Sequence, residues 1–92
     1  RLAALIVSGP DADSVDGLSR ALARAVPADD RLTVWGPAPA PLTVLRGRHR
    51  RRFLVRCPRG YPIQQALAAW TGRVKPTGRL RIQIDIDPYS FL

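Results

Sequence analysis

Residues 79–87 alternate without a break, with Leu80, Ile82, Ile84 and Ile86 on one side and Arg79, Arg81, Gln83, Asp85 and Asp87 on the other. Successive side chains of a strand point to opposite faces, so this segment predicts a strand with an apolar face turned inward and a polar face turned to water. A sheet that is wet on one side is characteristic of antiparallel pairing, its other face covered by helices or a second sheet. At 92 residues the chain has room for one hydrophobic core, and residues 1–92 are expected to form a single domain.

The remaining segments supply partners for that strand. Residues 2–8 are a short apolar run rich in Leu, Ile and Val, stopped by Gly9-Pro10, which predicts a buried strand. Asp11 or Asp13 can cap a helix in which Val15, Leu18, Leu22 and Val26 share one face and Asp16 sits in the first turn, before Pro27 ends it. Residues 31–36 predict a second strand. Pro37, Pro39 and Pro41 lack the N–H that a central strand needs, so residues 37–41 are expected to form an extended connector before residues 42–45 resume β character. Arg46-Gly47-Arg48 offers a turn and residues 49–57 a return strand, making a hairpin with an arginine-loaded tip. Ile63, Leu67, Trp70 and Val74 repeat the helical period over residues 61–74, and Lys75-Pro76-Thr77-Gly78 terminates it.

The order β-α-β-β-α-β is the split β-α-β plan, an α/β (α+β) fold: an antiparallel four-stranded sheet with two helices on one face and the other face open. Trp35, Tyr61 and Trp70 fall on apolar periodicities and are expected in the core. Ile84, facing inward, should not tolerate aspartate, whereas Gln83 should.

The formal net charge is +8, and the second half carries all of the excess. Residues 1–45 hold four arginines against five aspartates, while residues 46–92 hold ten arginines and Lys75 against only Asp85 and Asp87. Seven of those arginines lie within residues 46–59, with no acid among them. Like charges at this density repel one another, which points to a polyanionic partner, nucleic acid first. Arginine suits that role because its planar fork binds phosphate oxygens bidentately and stacks on bases. In the return strand Arg51, Phe53 and Val55 point one way and Arg50, Arg52, Leu54 and Arg56 the other, so one face carries several guanidiniums side by side. Arg51 then has to lie at the sheet end or snorkel. The expected DNA contacts are Arg46, Arg48, His49, Arg50, Arg52, Arg56 and Arg59 of the hairpin segment, helped by Arg73, Lys75, Arg79 and Arg81.

Catalysis has little to draw on, with one His, one Cys and no Glu in the chain. Asp85 and Asp87 share a strand face, but Arg79 and Arg81 on the same face are expected to compensate them. Neither a phosphate-binding loop nor a dinucleotide fingerprint is present. The expectation is no catalytic residue, no metal site and no cofactor in these residues, and a single cysteine closes no internal disulfide. No apolar run approaches the roughly 20 residues of a membrane span, so no membrane partner is expected. The chain begins at Arg1 and holds no methionine, which suggests a piece cut from a longer protein. Tyr89 and Phe91, in the irregular tail, could stack on a base or pack against another domain of that parent.

Four stretches resemble the C-terminal domains of the primosomal protein N′ (PriA) family of bacterial superfamily 2 helicases. They are the opening Arg1-Leu2-Ala3-Ala4-Leu5-Ile6, the run from Val34-Trp35-Gly36-Pro37 to Pro41, Leu45-Arg46-Gly47-Arg48-His49-Arg50, and the run from Asp85-Ile86-Asp87-Pro88 to Leu92. The family's hairpin typically reads Arg-Gly-Arg-Tyr-Arg, and His49 stands where the tyrosine would. The resemblance implies a parent that uses ATP to unwind DNA with 3′-to-5′ polarity and restarts stalled forks in a cytoplasmic, nucleoid-associated setting. ATP and zinc are then expected only in parent domains outside these residues. It also implies single-stranded or forked DNA as partner, together with single-stranded DNA-binding protein, other primosome components and the parent's other domains.

Three functional readings follow. In the first, the arginines grip a DNA backbone without reading sequence. In the second, one or two of them hold an acidic peptide, such as the C-terminal tail of single-stranded DNA-binding protein, beside an apolar pocket. A third reading, RNA or ribosome binding by a free-standing basic protein, fits less well a chain that lacks a starting methionine.

Overall fold

The computed structural model describes residues 1–87. Along the chain β1 (Leu2–Gly9), α1 (Ala12–Arg24), β2 (Thr33–Leu45), β3 (Arg48–Arg56), α2 (Ile63–Gly72) and β4 (Arg81–Ile86) follow one another. The strands assemble in the order β2-β3-β1-β4, each antiparallel to its neighbours. This is the split β-α-β architecture that the sequence pattern predicts. The two strands with neighbours on both sides, β1 and β3, are free of proline, as interior ladders require.

Pairing across the sheet sorts its side chains into two faces. On one face lie the rows Val34, Val55, Ala3 and Ile86, then Phe53, Leu5 and Ile84, then Arg51, Val7 and Ile82. Val15, Leu18 and Leu22 of α1 and Ile63, Leu67 and Trp70 of α2 join Phe53, Val55, Leu5 and Val7 in one core cluster, so both helices cover this face. The centre of the cluster is Trp70, whose ring meets Phe53 edge-on at 5.3 Å and 83° and whose Nε1 donates 2.9 Å to the Leu22 carbonyl. That indole therefore ties α2 to α1 and to β3, with its one polar atom satisfied. Tyr61 packs at the rim of the same cluster, in line with its sequence pattern.

The helix termini follow local chemistry. Asp11 caps α1, accepting 3.0 Å from the Ser14 amide and 2.7 Å from its hydroxyl, and these bonds hold its carboxyl below the usual carboxylate range. Helix α2 is shorter than the period over 61–74 predicts, because it begins only after Pro62 and ends at Gly72. Arg51 reaches the helical side without being buried bare: its Nε donates 2.9 Å to Asp16 of α1.

Three expectations are corrected. Residues 37–41 are not a connector between two strands but part of one long β2, in which Ala38 pairs with Arg52 and Pro39 with Arg51. As an edge strand β2 has one side that needs no ladder, and register shifts at Trp35/Ala38 and Pro39/Val44 absorb the prolines. Gly36 makes the first shift possible, since at φ 116° a Cβ there would lie 2.6 Å from the Arg52 carbonyl oxygen. Second, Asp87 is held by Arg1 at 3.0 Å rather than by Arg79 or Arg81. Third, Trp35 and Ile84, both expected in the core, are 49% and 42% exposed. Trp35 pairs with Leu54 and so points to the face opposite Val34 and Val55. Ile84 faces the helical side, but β4 is an edge strand flanked on one side only.

The exposure of Ile84 reverses the expectation for its substitution. Leu5→Asp should abolish cooperative folding, because Leu5 is fully buried and an unpaired carboxylate there costs several kcal/mol. Ile84→Asp, at the half-exposed position opposite it, should lower stability by only about 1 kcal/mol. Urea unfolding of both variants checks the pair, and equal damage would contradict the edge placement of β4.

Candidate nucleic-acid interface

The second face of the sheet carries the arginines. Its rows run Leu45 and Arg48; then Arg50, Ser8 and Arg81; then Ala38, Arg52, Ile6 and Gln83; then Trp35, Leu54, Ala4 and Asp85; then Thr33, Arg56 and Leu2. The strand rise places Arg50 and Arg52 about 7 Å apart and sets Arg56 about 20 Å from Arg50 along β3. At the hairpin end a hollow of about 260 Å³ is lined by Ser8, Leu45, Arg46, Arg48, Arg50, Arg81 and Gln83. Four arginines from the turn, β3 and β4 thus surround one space that, among the described residues, no carboxylate lines. The hairpin and the last strand do share a surface.

Those arginines are not equivalent. Arg48 is tied to backbone: its Nη2 donates 3.0 Å to the Ser8 carbonyl, 3.1 Å to Ser8 Oγ and 2.8 Å to the Arg79 carbonyl. It fastens the start of β3 to β1 and to the entry of β4. Arg50 donates 3.0 Å from Nη1 to the Leu42 carbonyl and so leans toward β2. Arg46, Arg56 and Arg81 have no hydrogen bond or ion pair from their guanidiniums among the described residues. Arg46 also occupies an unusual backbone position. The turn joining Leu45 to Arg48 has two central residues, Arg46 at φ 53° and Gly47 at φ 77°, the left-handed pair of a type I′ hairpin turn. Asn or Gly suits the first of these positions better than Arg, so local strain accompanies the charge placed at the tip.

The other expected contacts are scattered. His49 pairs with Gly9 and Val44 and points to the helical side, where Asp11 lies within its electrostatic reach. Arg73, at the end of α2, donates 3.4 Å to the Ala25 carbonyl and so lies toward the helices, and Lys75 follows it in the connection to β4. Arg79 precedes β4 and receives the Arg48 bond on its carbonyl. Arg56 lies at the far end of the open face, in a hollow of about 390 Å³ shared with Arg1, Arg31, Thr33, Cys57 and Pro58. Arg59 lines a neighbouring hollow of about 440 Å³ with Arg1, Gly60 and Asp87. Tyr89 and Phe91 lie outside the described residues.

Away from the open face Arg1, Arg31 and Arg51 are each paired with an aspartate. Arg31 binds Asp29 at 3.2 Å and lies over the Tyr61 ring at 4.8 Å. The bonds from the Arg31 side chain and backbone, with the Tyr61 hydroxyl at 2.9 Å, hold Asp29 down at about 2. Burial and this carboxylate together push the Tyr61 phenol up. Among the described residues no three His, Cys, Asp or Glu side chains converge on a point where a metal ion could sit. Sequence reasoning missed Trp35 as a residue of the open face, although the signal was present: once Val34 is placed inward, strand alternation sends Trp35 outward.

Comparison with known proteins agrees with the resemblance noted in the sequence. Residues 1–89 match the model of the family described as the primosomal protein N C-terminal domain. The replication restart proteins PriA of Rickettsia felis and Rickettsia prowazekii are each 30% identical to the chain over 91 residues, 99% of its length. That of Rickettsia typhi is equally similar. The chain spans only 14% of the length of these relatives.

The two kinds of open-face arginine should separate by stability. Arg48→Ala removes a charged donor from backbone carbonyls and should cost about 1.5–3 kcal/mol in urea unfolding. Arg81→Ala should stay within about 0.5 kcal/mol of the parent, and Arg46→Asn should stabilise by up to about 1 kcal/mol by relieving the turn.

Proposed function

The chain belongs to the primosomal protein N C-terminal domain family, and on that premise we propose that its open sheet face binds the backbone of single-stranded or forked DNA without reading sequence. The observation that carries this reading is the guanidinium track. Arg46, Arg50 and Arg81 surround the hairpin-end hollow, and Arg52 and Arg56 continue the positive charge along β3. A run of about 20 Å suits a charged backbone, whereas one acidic side chain or peptide terminus needs only one or two arginines beside an apolar hole. Arg48 supports the track by fixing the sheet beneath it.

In this reading the domain serves a replication restart protein as a DNA-holding element. ATP hydrolysis, unwinding and zinc binding belong to the parts of that protein outside residues 1–92, and these residues by themselves turn over no ATP and carry no zinc. In this reading His49 and Arg73, which lie toward the helical side, are left out of the contact set, and Arg59 stands at its margin.

Salt dependence tests the proposal. Five arginines, each displacing a condensed counterion from single-stranded DNA, give a slope of log affinity against log salt near −0.7 × 5, or about −3.5. Arg46→Ala, Arg56→Ala and Arg81→Ala should each weaken binding to a labelled oligonucleotide and make the slope shallower by roughly 0.7, whatever its base sequence. A flat salt response, or one arginine carrying the whole effect, would instead indicate a pocket for an acidic peptide.

A further inference from the structure

Among the described residues Trp35 is the one large aromatic side chain outside the core. It is 49% exposed, on the open face, on the edge strand beside β3. Leu54 lies directly opposite it, and the adjoining rows bring Arg52 and Arg56 to its diagonals, at about 7–8 Å between backbones. The chain's other tryptophan, Trp70, is 1% exposed and fixed at the centre of the core. About half of the indole meets water, and its backbone stands beside the Arg52 and Arg56 positions of the proposed track. Asp85 ends the same row on the opposite edge, so a phosphate chain is repelled from β4 at this level and held over β3 and β2.

The geometry points to Trp35 as a stacking platform for an unpaired nucleobase, with the flanking phosphates held by the Arg52 and Arg56 side of the face. The inference rests on the DNA-binding reading and sharpens it in one respect. Guanidiniums alone bind any polyanion, single- or double-stranded, whereas an indole face gains contact only where a base is free of its partner. Trp35 is therefore what makes this surface prefer single-stranded DNA to a duplex, and it does so without sequence readout, since every base offers a π-face.

The test uses the 92-residue chain, a 20-nucleotide oligothymidylate, the same backbone without bases, and a duplex of equal length. With Trp70 shielded, quenching of tryptophan emission on titration reports Trp35; the oligothymidylate should quench it and the abasic strand should not. Trp35→Ala should lower affinity for oligothymidylate by about 5- to 150-fold, the worth of one base stack. Affinity for the abasic strand and the salt slope should stay unchanged. Trp35→Tyr should restore most of the loss, and circular dichroism of both variants should match the parent. Equal weakening toward oligothymidylate and the abasic strand would mean that Trp35 only supports the sheet, and overturns the inference. Unchanged affinity and emission with normal oligothymidylate binding also overturn it while leaving the backbone track standing. No binding to any of the three nucleic acids overturns both.

Discussion

The edge-on contact of Phe53 with Trp70 sets the register on which the open face depends. Phe53 is fully buried, with Val55 beside it, so β3 cannot slip by one residue without carrying both into water. Because side chains alternate strictly, the same constraint aims Arg50, Arg52 and Arg56 at the opposite face. Truncating Phe53 to alanine would cost about 3–5 kcal/mol, a large share of what a domain of this size has to lose. The apolar core and the basic surface are thus two sides of one strand.

Arginine bookkeeping explains how a chain this basic folds. Arg1, Arg31 and Arg51 are each opposed by an aspartate. Arg48 spends its donors on carbonyls. On the open side of the sheet water screens the repulsion among the arginines in the free state, and a polyanion can neutralise it in the bound one. The more exposed of these pairs, those of Arg1 and Arg31, contribute little stability individually. Their consequence lies in where they leave positive potential.

Much of this was legible beforehand. The strict alternation over residues 79–87, the apolar run at residues 2–8 and two helical periods suffice for the split β-α-β plan, because periodicity reports which face is buried. What alternation cannot report is depth. Ile84 has the right parity for the core, yet it sits on an edge strand and is half exposed. The prolines of β2 misled for a related reason: they exclude a central strand, and only the assembled strand order reveals that β2 is an edge where proline is tolerated.

The sequence by itself determined the fold class, the antiparallel sheet and the presence of several arginines on one face of β3, since each follows from local spacing along a single segment. Only the tertiary structure decided which basic residues keep company. Arg81 joins Arg46 and Arg50 because β4 lies next to β1, and Arg73 meets the Ala25 carbonyl because α2 packs on the other side of the sheet. Arg48, indistinguishable from its neighbours as text, became a structural tie once Ser8 and the Arg79 carbonyl were brought within 3.0 Å of it. Proximity between residues distant in sequence is a property of strand order and register, and that is set by the packing of the whole core.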